Sequence, residues 1–196
     1  LAANLFGRWA LRKGEQVVAT DETPFQLEID KIPSLKPAFG KDGTVTAASS
    51  SSISDGAAAI VLMSESAARA AGLKPLARLV SYASHAQAPE WFTTAPAPSM
   101  QKALDRAGWK VADVDLFEIN EAFACVAMAA MQDLGLRHDQ LNVNGGACAM
   151  GHPVGATGAR IITTLLYALR KRGLRRGVAS QCIGGGEACA VAIELL

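Results

Sequence analysis

Hydrophobic and polar positions divide the chain into an irregular first stretch and a patterned remainder. Residues 1–46 show little periodicity, and Pro24, Pro33 and Pro37 interrupt any helix, so this stretch cannot bury much by itself. From Leu76 onward, short apolar runs alternate with segments whose apolar residues recur every three or four positions. Their order, β-α-β-α-β-α-β-β, favours an α/β fold with a largely parallel central sheet covered on both faces.

The same pattern gives bounds for the elements. We predict strands at 57–63, 76–83, 114–119, 141–144, 177–183 and 189–195, and helices at 65–71, 100–107, 122–134 and 156–172. Ser64 and Ser99 are expected to cap the first two of these helices. The serine-rich run at 47–54 could pass for a flexible linker. A linker should not lead directly into a buried strand, so we interpret the run as an ordered loop.

Composition removes several classes of protein. The 196 residues, half of them hydrophobic, suffice for one medium domain or two small ones. A formal net charge of +1 gives no electrostatic case for nucleic acid or an anionic membrane as the main partner. The four cysteines form no CxxC pair, which argues against a disulfide scaffold or a structural zinc site and fits a reducing compartment. No uncharged run reaches the roughly 18 residues that a membrane span needs.

Residues able to do chemistry follow three of the predicted strands. Asn120 comes directly after 114–119, His152 lies in the glycine-dense turn after 141–144, and Cys182 precedes three glycines. Because strands of an α/β sheet carry their reactive groups beyond their carboxyl ends, we expect these three side chains in one neighbourhood. A thiol beside a histidine can exchange a proton near neutral pH, and the N–H groups of the glycines can face an anion.

Each of these residues also has a purely structural interpretation. Cys182 could be a small buried hydrophobe, His152 a satisfied loop histidine, and Asn120 the cap of the next helix. Glu121 could be a base, or a first-turn carboxylate favoured by the helix dipole. The structural interpretation is assigned to the other candidates: Cys125, Cys148 and Cys189 as buried hydrophobes, His85 and His138 as loop histidines, and Arg170, Lys171, Arg172, Arg175 and Arg176 as charge at a helix C-terminus.

Three motifs taken together make the sequence recognisable. They are Asn120-Glu-Ala-Phe-Ala, the run from Asn142 to Arg160 that contains Gly-Gly-Ala-Cys-Ala-Met-Gly-His-Pro, and Cys182-Ile-Gly-Gly-Gly-Glu. In this order and spacing they resemble the thiolases, the acetyl-CoA C-acyltransferases, and the resemblance extends upstream through 36–47 and 54–59. It implies a doubled thiolase-like fold with these parts: 1–52 as the end of an inserted loop domain, 53–75 as the last strand and helix of the N-terminal domain, and 76–196 as a C-terminal βαβαβαββ domain with a mixed central sheet.

The resemblance also implies roles for the motif residues. Thiolases move an acyl group from a 3-ketoacyl-CoA onto a cysteine and then to CoA, or condense two acyl-CoA molecules in the reverse Claisen reaction. By similarity, Cys182 is the acid/base cysteine, and His152 activates the nucleophilic cysteine and donates into an oxyanion hole. Asn120 positions the water that completes this hole, and the backbone N–H of Gly184 serves a second one.

CoA and acyl-CoA are the ligands that the resemblance implies. CoA would contact five residues: Leu35, Phe39, Ala47, Ser51 and Phe123. The chemistry needs no metal or redox cofactor, since CoA is a substrate. Expected partners are a missing N-terminal thiolase half and further copies of the protein in a homodimer or homotetramer, with no nucleic acid and no membrane. We expect a cytoplasmic location of the bacterial type, with a mitochondrial or peroxisomal one left open.

The chain departs from the family pattern in two respects. The nucleophilic cysteine of thiolases belongs to an N-terminal half that is absent here, so we expect the 196 residues alone to be inactive. Ser49 stands where the family usually has Asn. Two other functions stay open. A ketosynthase-like condensing enzyme is disfavoured by the motif at Cys182. A non-catalytic CoA-binding or assembly subunit is disfavoured because Asn120, His152 and Cys182 are all retained.

Overall fold

The structure, a computed structural model, describes residues 11–13 and 16–196, with 11–13 and 16–18 described by their backbone alone. The chain divides into two compact units, Leu1–Ala48 and Ser49–Leu196. The domain boundaries at residues 52 and 75 that the resemblance implies stay predictions.

The first unit consists of short elements. They are the antiparallel strands β1 (Leu11–Lys13) and β2 (Gln16–Val18), the one-turn helix α1 (Thr23–Gln26) and a 3-10 helix (Ile29–Ser34). Pro24 occupies the first turn of α1, where a proline is tolerated, whereas Pro33 lies inside the 3-10 helix and limits its length. The β1–β2 pair is missing from the sequence prediction because three-residue strands show no periodicity. No side chain among residues 19–48 is fully buried, as expected for this stretch.

The second unit is built around a four-stranded sheet. Its strands are β3 (Ala77–Ala86), β4 (Leu116–Ile119), β5 (Arg176–Ile183) and β6 (Glu187–Leu195), and its helices are α2 (Glu65–Ala70), α3 (Pro96–Ala107), α4 (Ala124–Leu134), α5 (Ala147–Met150) and α6 (Thr157–Arg172). The strand order is β3-β6-β5-β4. Within the described residues, no helix is long and apolar enough to cross a membrane.

The sheet is mixed. Only β4 and β5 pair in parallel, whereas β5–β6 and β6–β3 are antiparallel. The expectation of a largely parallel sheet is therefore wrong. The reason is that only residues 184–186 separate β5 from β6, and so short a connection permits an antiparallel pair alone.

Helices cover both faces of this sheet, as predicted. On one face, α3 and α4 pack over a core that includes Phe117, Ile119 and Val178. On the other, α6 packs over Leu116 and Ala179 among others. Alternate residues of β4 thus enter opposite cores, as the two-residue period of a strand requires.

The predicted strand at 141–144 does not form. Leu141 makes a single isolated bridge to Phe117, and the chain then turns at Asn142, whose φ is 45°. The side chain of Asn142 takes over the pairing, since its Oδ1 accepts from Ile119 N at 2.8 Å and its Nδ2 donates to Ile119 O at 2.9 Å. A side-chain amide has replaced the backbone ladder that a fifth strand would supply.

The predicted strand at 57–63 does not form in this chain either. The segment has no strand pairing, and its large residues are exposed, with Val61 at 82% and Leu62 at 72%. An apolar run resembles a buried strand in sequence, but no strand among the described residues lies beside this one to pair with it. The helix that follows, α2, begins as predicted at Ser64, whose hydroxyl accepts from Ala67 N.

Helix α3 begins four residues before the predicted start. Pro96 occupies its first turn, where a proline needs no hydrogen-bond partner for its nitrogen. Ser99 is therefore a buried residue inside the helix and not its cap. Its hydroxyl donates to Pro96 O at 2.8 Å and lies 3.1 Å from Ser180 Oγ on β5.

Candidate active site at the carboxyl edge of the sheet

The parallel pair β4–β5 brings two of the predicted residues to the same edge. Ile119 lies opposite Ser180, so Asn120 and Cys182 follow one and two residues beyond this pair. The backbone N–H of Asn120 still donates to Ser180 O at 2.9 Å, which extends the ladder by one bond. Asn120 is 1% exposed and Cys182 is 9% exposed. The sheet therefore holds the backbone of both residues in place.

A hydrogen-bonded chain joins Asn120 to His152 and Thr157. Asn120 Nδ2 lies 3.4 Å from His152 Nε2, and His152 Nδ1 lies 2.7 Å from Thr157 Oγ1. The hydroxyl of Thr157 donates its one proton to Pro153 O at 3.0 Å, so it accepts from the ring. This network assigns the proton of the neutral imidazole to Nδ1 and leaves a lone pair on Nε2.

The surroundings of His152 keep its ring neutral. Burial lowers the pKa of His152, and the positive charge of Arg160 lowers it further. A neutral ring with its free lone pair on Nε2 can accept a proton from a thiol at neutral pH.

The segment before the 57–63 run holds the histidine loop in position. His152 N donates to Ser52 O at 2.9 Å, and Ser51 donates to Ala122 O through both its backbone N–H and its hydroxyl. Gly151 has a φ of 93°, and the hydroxyl of Ser54 occupies the place of its missing side chain. The serine run is thus an ordered loop, as predicted.

Glu121 anchors the glycine-rich segment. Its carboxylate accepts from Asn142 Nδ2 at 2.7 Å and from Cys148 N at 3.0 Å, at the N-terminus of α5. A Cβ atom at Gly146 would collide with this carboxylate. Helix α4 begins only at Ala124, so the two interpretations that placed Asn120 and Glu121 at its start are wrong. Sequence reasoning missed this anchoring, because the partners lie more than twenty residues apart.

Cys182 carries a protonated thiol. Burial raises its pKa to about 11, so the sulfur holds its proton at neutral pH. Four residues later the turn to β6 closes at Gly186, which has a φ of 103° and lies against the backbone of residues 87–89. Gly184 in the same turn is exposed, with open space beside its Cα.

The five residues predicted to contact CoA divide between the two units. Ser51 and Phe123 belong to the second, where Ser51 bonds to Ala122 and Phe123 packs edge-on against Phe92 with ring centroids 6.2 Å apart. The other three belong to the first: Leu35 half-buried, Phe39 75% exposed and Ala47 exposed.

Some of the residues set aside in the sequence lie elsewhere than expected. Cys189 is exposed and not buried, because it faces Ser84 on the edge strand β3, with 3.4 Å between Sγ and Oγ. His85 lies on β3 and not in a loop, with Nδ1 3.0 Å from Lys102 Nζ. The basic residues at 170–172 do occupy the last turn of α6. Among the described residues, no group of three or more His, Cys, Asp or Glu could hold a metal ion.

Comparison with known protein families agrees with this geometry. The thiolase C-terminal domain model matches residues 73–195, and the thiolase N-terminal domain model matches residues 8–66. The first match alone covers more than half of the chain. The chain belongs to the thiolase family.

Individual relatives show how much of a thiolase is present. A probable acetyl-CoA acetyltransferase from Dictyostelium discoideum is 52% identical over 179 residues, which are 91% of this chain and 43% of that protein. The Bacillus anthracis acetyl-CoA acetyltransferase structure superposes with a TM-score of 0.88 at 44% identity, covering 95% of this chain and 48% of the other. The structure of human mitochondrial 3-ketoacyl-CoA thiolase in complex with CoA superposes with a TM-score of 0.81 at 37% identity. The match covers 92% of this chain and 46% of the human one.

These neighbours confirm the thiolase-like α/β fold and its mixed sheet. The chain spans about half the length of the relatives it matches. Asn120, His152 and Cys182 all lie within the residues that match the thiolase C-terminal domain model.

Proposed function

We propose that this chain is part of a thiolase-type acyltransferase that moves an acyl group from a 3-ketoacyl-CoA to CoA, or runs the reverse Claisen condensation. The observation that carries the proposal is the pair of Asn120 and His152, hydrogen-bonded at the sheet edge where the strand of Cys182 also ends. Membership of the family and the names of the relatives support it.

His152 acts first as a base in this proposal. Thr157 holds the proton on Nδ1, so Nε2 can take the proton of the nucleophilic thiol. The imidazolium that results then donates from Nε2 to the carbonyl oxygen on which negative charge develops. The 3.4 Å contact to Asn120 is long enough to give way to this new partner.

Cys182 supplies the second proton transfer. When the bond between C2 and C3 of the ketoacyl chain breaks, the electron pair stays on C2 as an enolate of acetyl-CoA. The thiol of Cys182 gives its proton to that carbon. Its raised pKa keeps the thiol protonated until this step. The thiolate left behind then takes the proton of the incoming CoA thiol, whose sulfur attacks the acyl group on the nucleophile. In the reverse direction, the thiolate removes a proton from the methyl group of acetyl-CoA.

The remaining roles belong to the same proposal. Asn120 positions a water at the oxyanion hole, and the N–H of Gly184 serves the second hole. CoA lies along Leu35, Phe39, Ala47 and Ser51 with its pantetheine end near Phe123, and no further cofactor takes part. The nucleophilic cysteine is supplied by an N-terminal thiolase half, in a homodimer or homotetramer, so that the 196 residues alone do not turn over.

A chimera tests the proposal. This chain replaces the aligned segment of the Bacillus anthracis acetyl-CoA acetyltransferase, and thiolysis of acetoacetyl-CoA is measured for the chimera and for the isolated chain. We expect turnover only in the chimera. Cys182→Ala and His152→Ala should each lower kcat roughly 10²- to 10⁴-fold, the usual contribution of a positioned acid or base.

Cys189→Ala is the matched control, because this cysteine lies on the neighbouring strand and is exposed. It should leave kcat unchanged. Turnover by the isolated chain would contradict the absence of the nucleophile. A folded chimera that binds CoA without turnover would instead favour the non-catalytic subunit.

A further inference from the structure

An arginine lies behind the side chain of Asn120. Arg160 is the fourth residue of α6, and its NH2 group donates to Asn120 Oδ1 at 3.3 Å. Its side chain is 15% exposed. The mechanism proposed above gives this arginine no role, although it touches a residue of the site directly.

A buried carboxyl group accompanies the arginine. Glu118 is on β4 and 1% exposed, and it has Oε2 3.9 Å from Arg160 NH1. Three atoms of the pair are buried without a hydrogen-bond partner: Glu118 Oε1, Arg160 Nε and Arg160 NH1. Buried polar atoms of this kind are uncommon, and each calls for an explanation.

The local structure does not explain why Glu118 and Arg160 are buried here. A cation in the first turns of a helix opposes the helix dipole, which favours negative charge there. Burial raises the pKa of Glu118 to about 8 and lowers that of Arg160, so both groups lose free energy by being charged in this place. A buried ion pair is in general weak evidence for stability. The contact that remains to explain the pair is the one to Asn120.

We propose that Arg160, which lies beside Glu118, is a positioning residue that fixes the side-chain amide of Asn120 with Nδ2 toward His152. The two ends of an asparagine amide have nearly the same shape, so packing alone does not choose between them. A guanidinium has donors and no acceptor, and it therefore requires Oδ1 on its own side. A flipped amide would set donor against donor at Arg160.

The orientation of the amide decides the proton on the ring. With Nδ2 toward His152, Nε2 accepts and the proton stays on Nδ1, where Thr157 receives it. With Oδ1 toward His152, the ring would need a proton on Nε2 and could no longer act as a base there. Arg160 thus keeps Nε2 free through Asn120. The relevance to catalysis rests on the proposed function, whereas the effect on the ring does not.

Nuclear magnetic resonance of the histidine rings tests this in the chain as it exists. Long-range proton–nitrogen correlations distinguish the two neutral tautomers, and the chain has only three histidines. The signals of His152 are those lost in His152→Gln. We expect the Nδ1–H tautomer in the native chain. Arg160→Met and Arg160→Gln remove the donor-only group, so in each of them the Nε2 resonance should shift toward that of a protonated nitrogen.

The matched controls are Arg176→Met and Arg176→Gln. Arg176 also pairs with a glutamate, Glu194, at 3.2 Å, but lies at the opposite end of β5 from Cys182. These variants should leave the His152 spectrum unchanged. An unshifted Nε2 resonance in a folded Arg160 variant overturns the proposal. So does failure of both Arg160 variants to fold while the Arg176 variants fold, because the pair would then be structural.

Activity gives a separate readout. In the chimera, Arg160→Gln should lower kcat roughly 10- to 100-fold, as expected for a displaced catalytic group, with little change in KM. Suppose that the Arg160 variants of the isolated chain show the tautomer shift but the chimera with Arg160 intact is inactive. This result would refute the proposed function and leave the positioning role standing. An active chimera without a tautomer shift in the Arg160 variants would support the proposed function and refute the positioning role of Arg160.

Discussion

At the scale of single residues, His152 owes its chemistry to its neighbours. Thr157 fixes the proton on Nδ1 and Asn120 faces Nε2, while burial and the charge of Arg160 lower the pKa of the ring. Thr157 lies only five residues beyond His152, at the start of α6, so the sequence alone could have pointed to it. Arg160 and Glu118 are 42 positions apart, and no local pattern connects them. The sequence therefore predicts the reacting groups better than the groups that orient them.

Removing the hydroxyl of Thr157 should free the His152 ring from the hydrogen bond that keeps its proton on Nδ1. Thr157→Val keeps the shape of this fully buried side chain but leaves His152 Nδ1–H without an acceptor. We expect a loss of about 1–2 kcal/mol in the free energy of unfolding, the usual cost of an unpaired buried donor. The Nε2–H tautomer should grow in the ring spectrum. Thr164→Val, at another buried threonine of α6, is the control for the tautomer. An unchanged His152 spectrum in Thr157→Val would contradict the assignment of the proton.

Glu118 should give the chain a pH-dependent stability. Its pKa rises from 4.5 in the unfolded chain to about 8 in the folded one, so the folded state binds the proton more tightly. Its contribution is complete below pH 4.5 and is lost as the pH rises through about 8. The free energy of unfolding should fall across this range by at most about 1.4 kcal/mol per pH unit.

Glu118→Gln should remove this slope, as measured by urea unfolding between pH 5 and 8. The control is Glu194→Gln, because hydrogen bonds from Arg78 and Arg176 lower the pKa of Glu194. Its contribution is present at higher pH and is lost as the pH falls, so its removal should alter only the acid side. An unchanged slope in Glu118→Gln would show that Glu118 titrates normally.

At the scale of elements, the periodicity of apolar residues predicts those helices and strands whose positions depend on local packing. Helix α6 was predicted within one residue, since its apolar face repeats over four turns, and β5 and β6 were predicted within two. The strand at 141–144 failed because one side chain, that of Asn142, replaces the ladder. The expectation for the sheet was wrong although its cause is local, because the three residues between β5 and β6 are too few for the crossover that a parallel pair needs.

The contact between Glu121 and the glycine-rich segment has a direct test. Gly146→Ala places a methyl group on the carboxylate, which must then lose its bonds to Asn142 and Cys148. We expect a loss of about 1–3 kcal/mol of stability in urea unfolding, the usual cost of overpacking, and a displaced His152 signal. Gly155→Ala has open space around its new methyl group and should change stability by no more than about 0.5 kcal/mol. Equal effects of the two changes would refute the role given to Glu121.

At the scale of the whole molecule, the chain carries an apolar surface that none of the strands described in the structure covers. Ile60, Val61, Leu62 and Met63 are 37–82% exposed in one continuous run. Exposed runs of this kind mark interaction surfaces or cause association. The family resemblance makes this run a strand of the N-terminal domain, where strands outside this chain would pair with it. The same four residues should therefore behave in opposite ways with and without that domain.

Replacing Val61 and Leu62 by lysine tests this last inference in both settings. In the isolated chain, the double substitution should reduce concentration-dependent association in sedimentation experiments, because it places two charges in an exposed apolar run. In the chimera with the Bacillus anthracis enzyme, the same substitution should destabilise the protein, because two charges would then be buried in a sheet. Met128→Lys serves as the control, since Met128 is 65% exposed on α4 and belongs to no predicted strand. If the double variant were equally stable in the chimera, the run would be a surface and not a strand of the missing half.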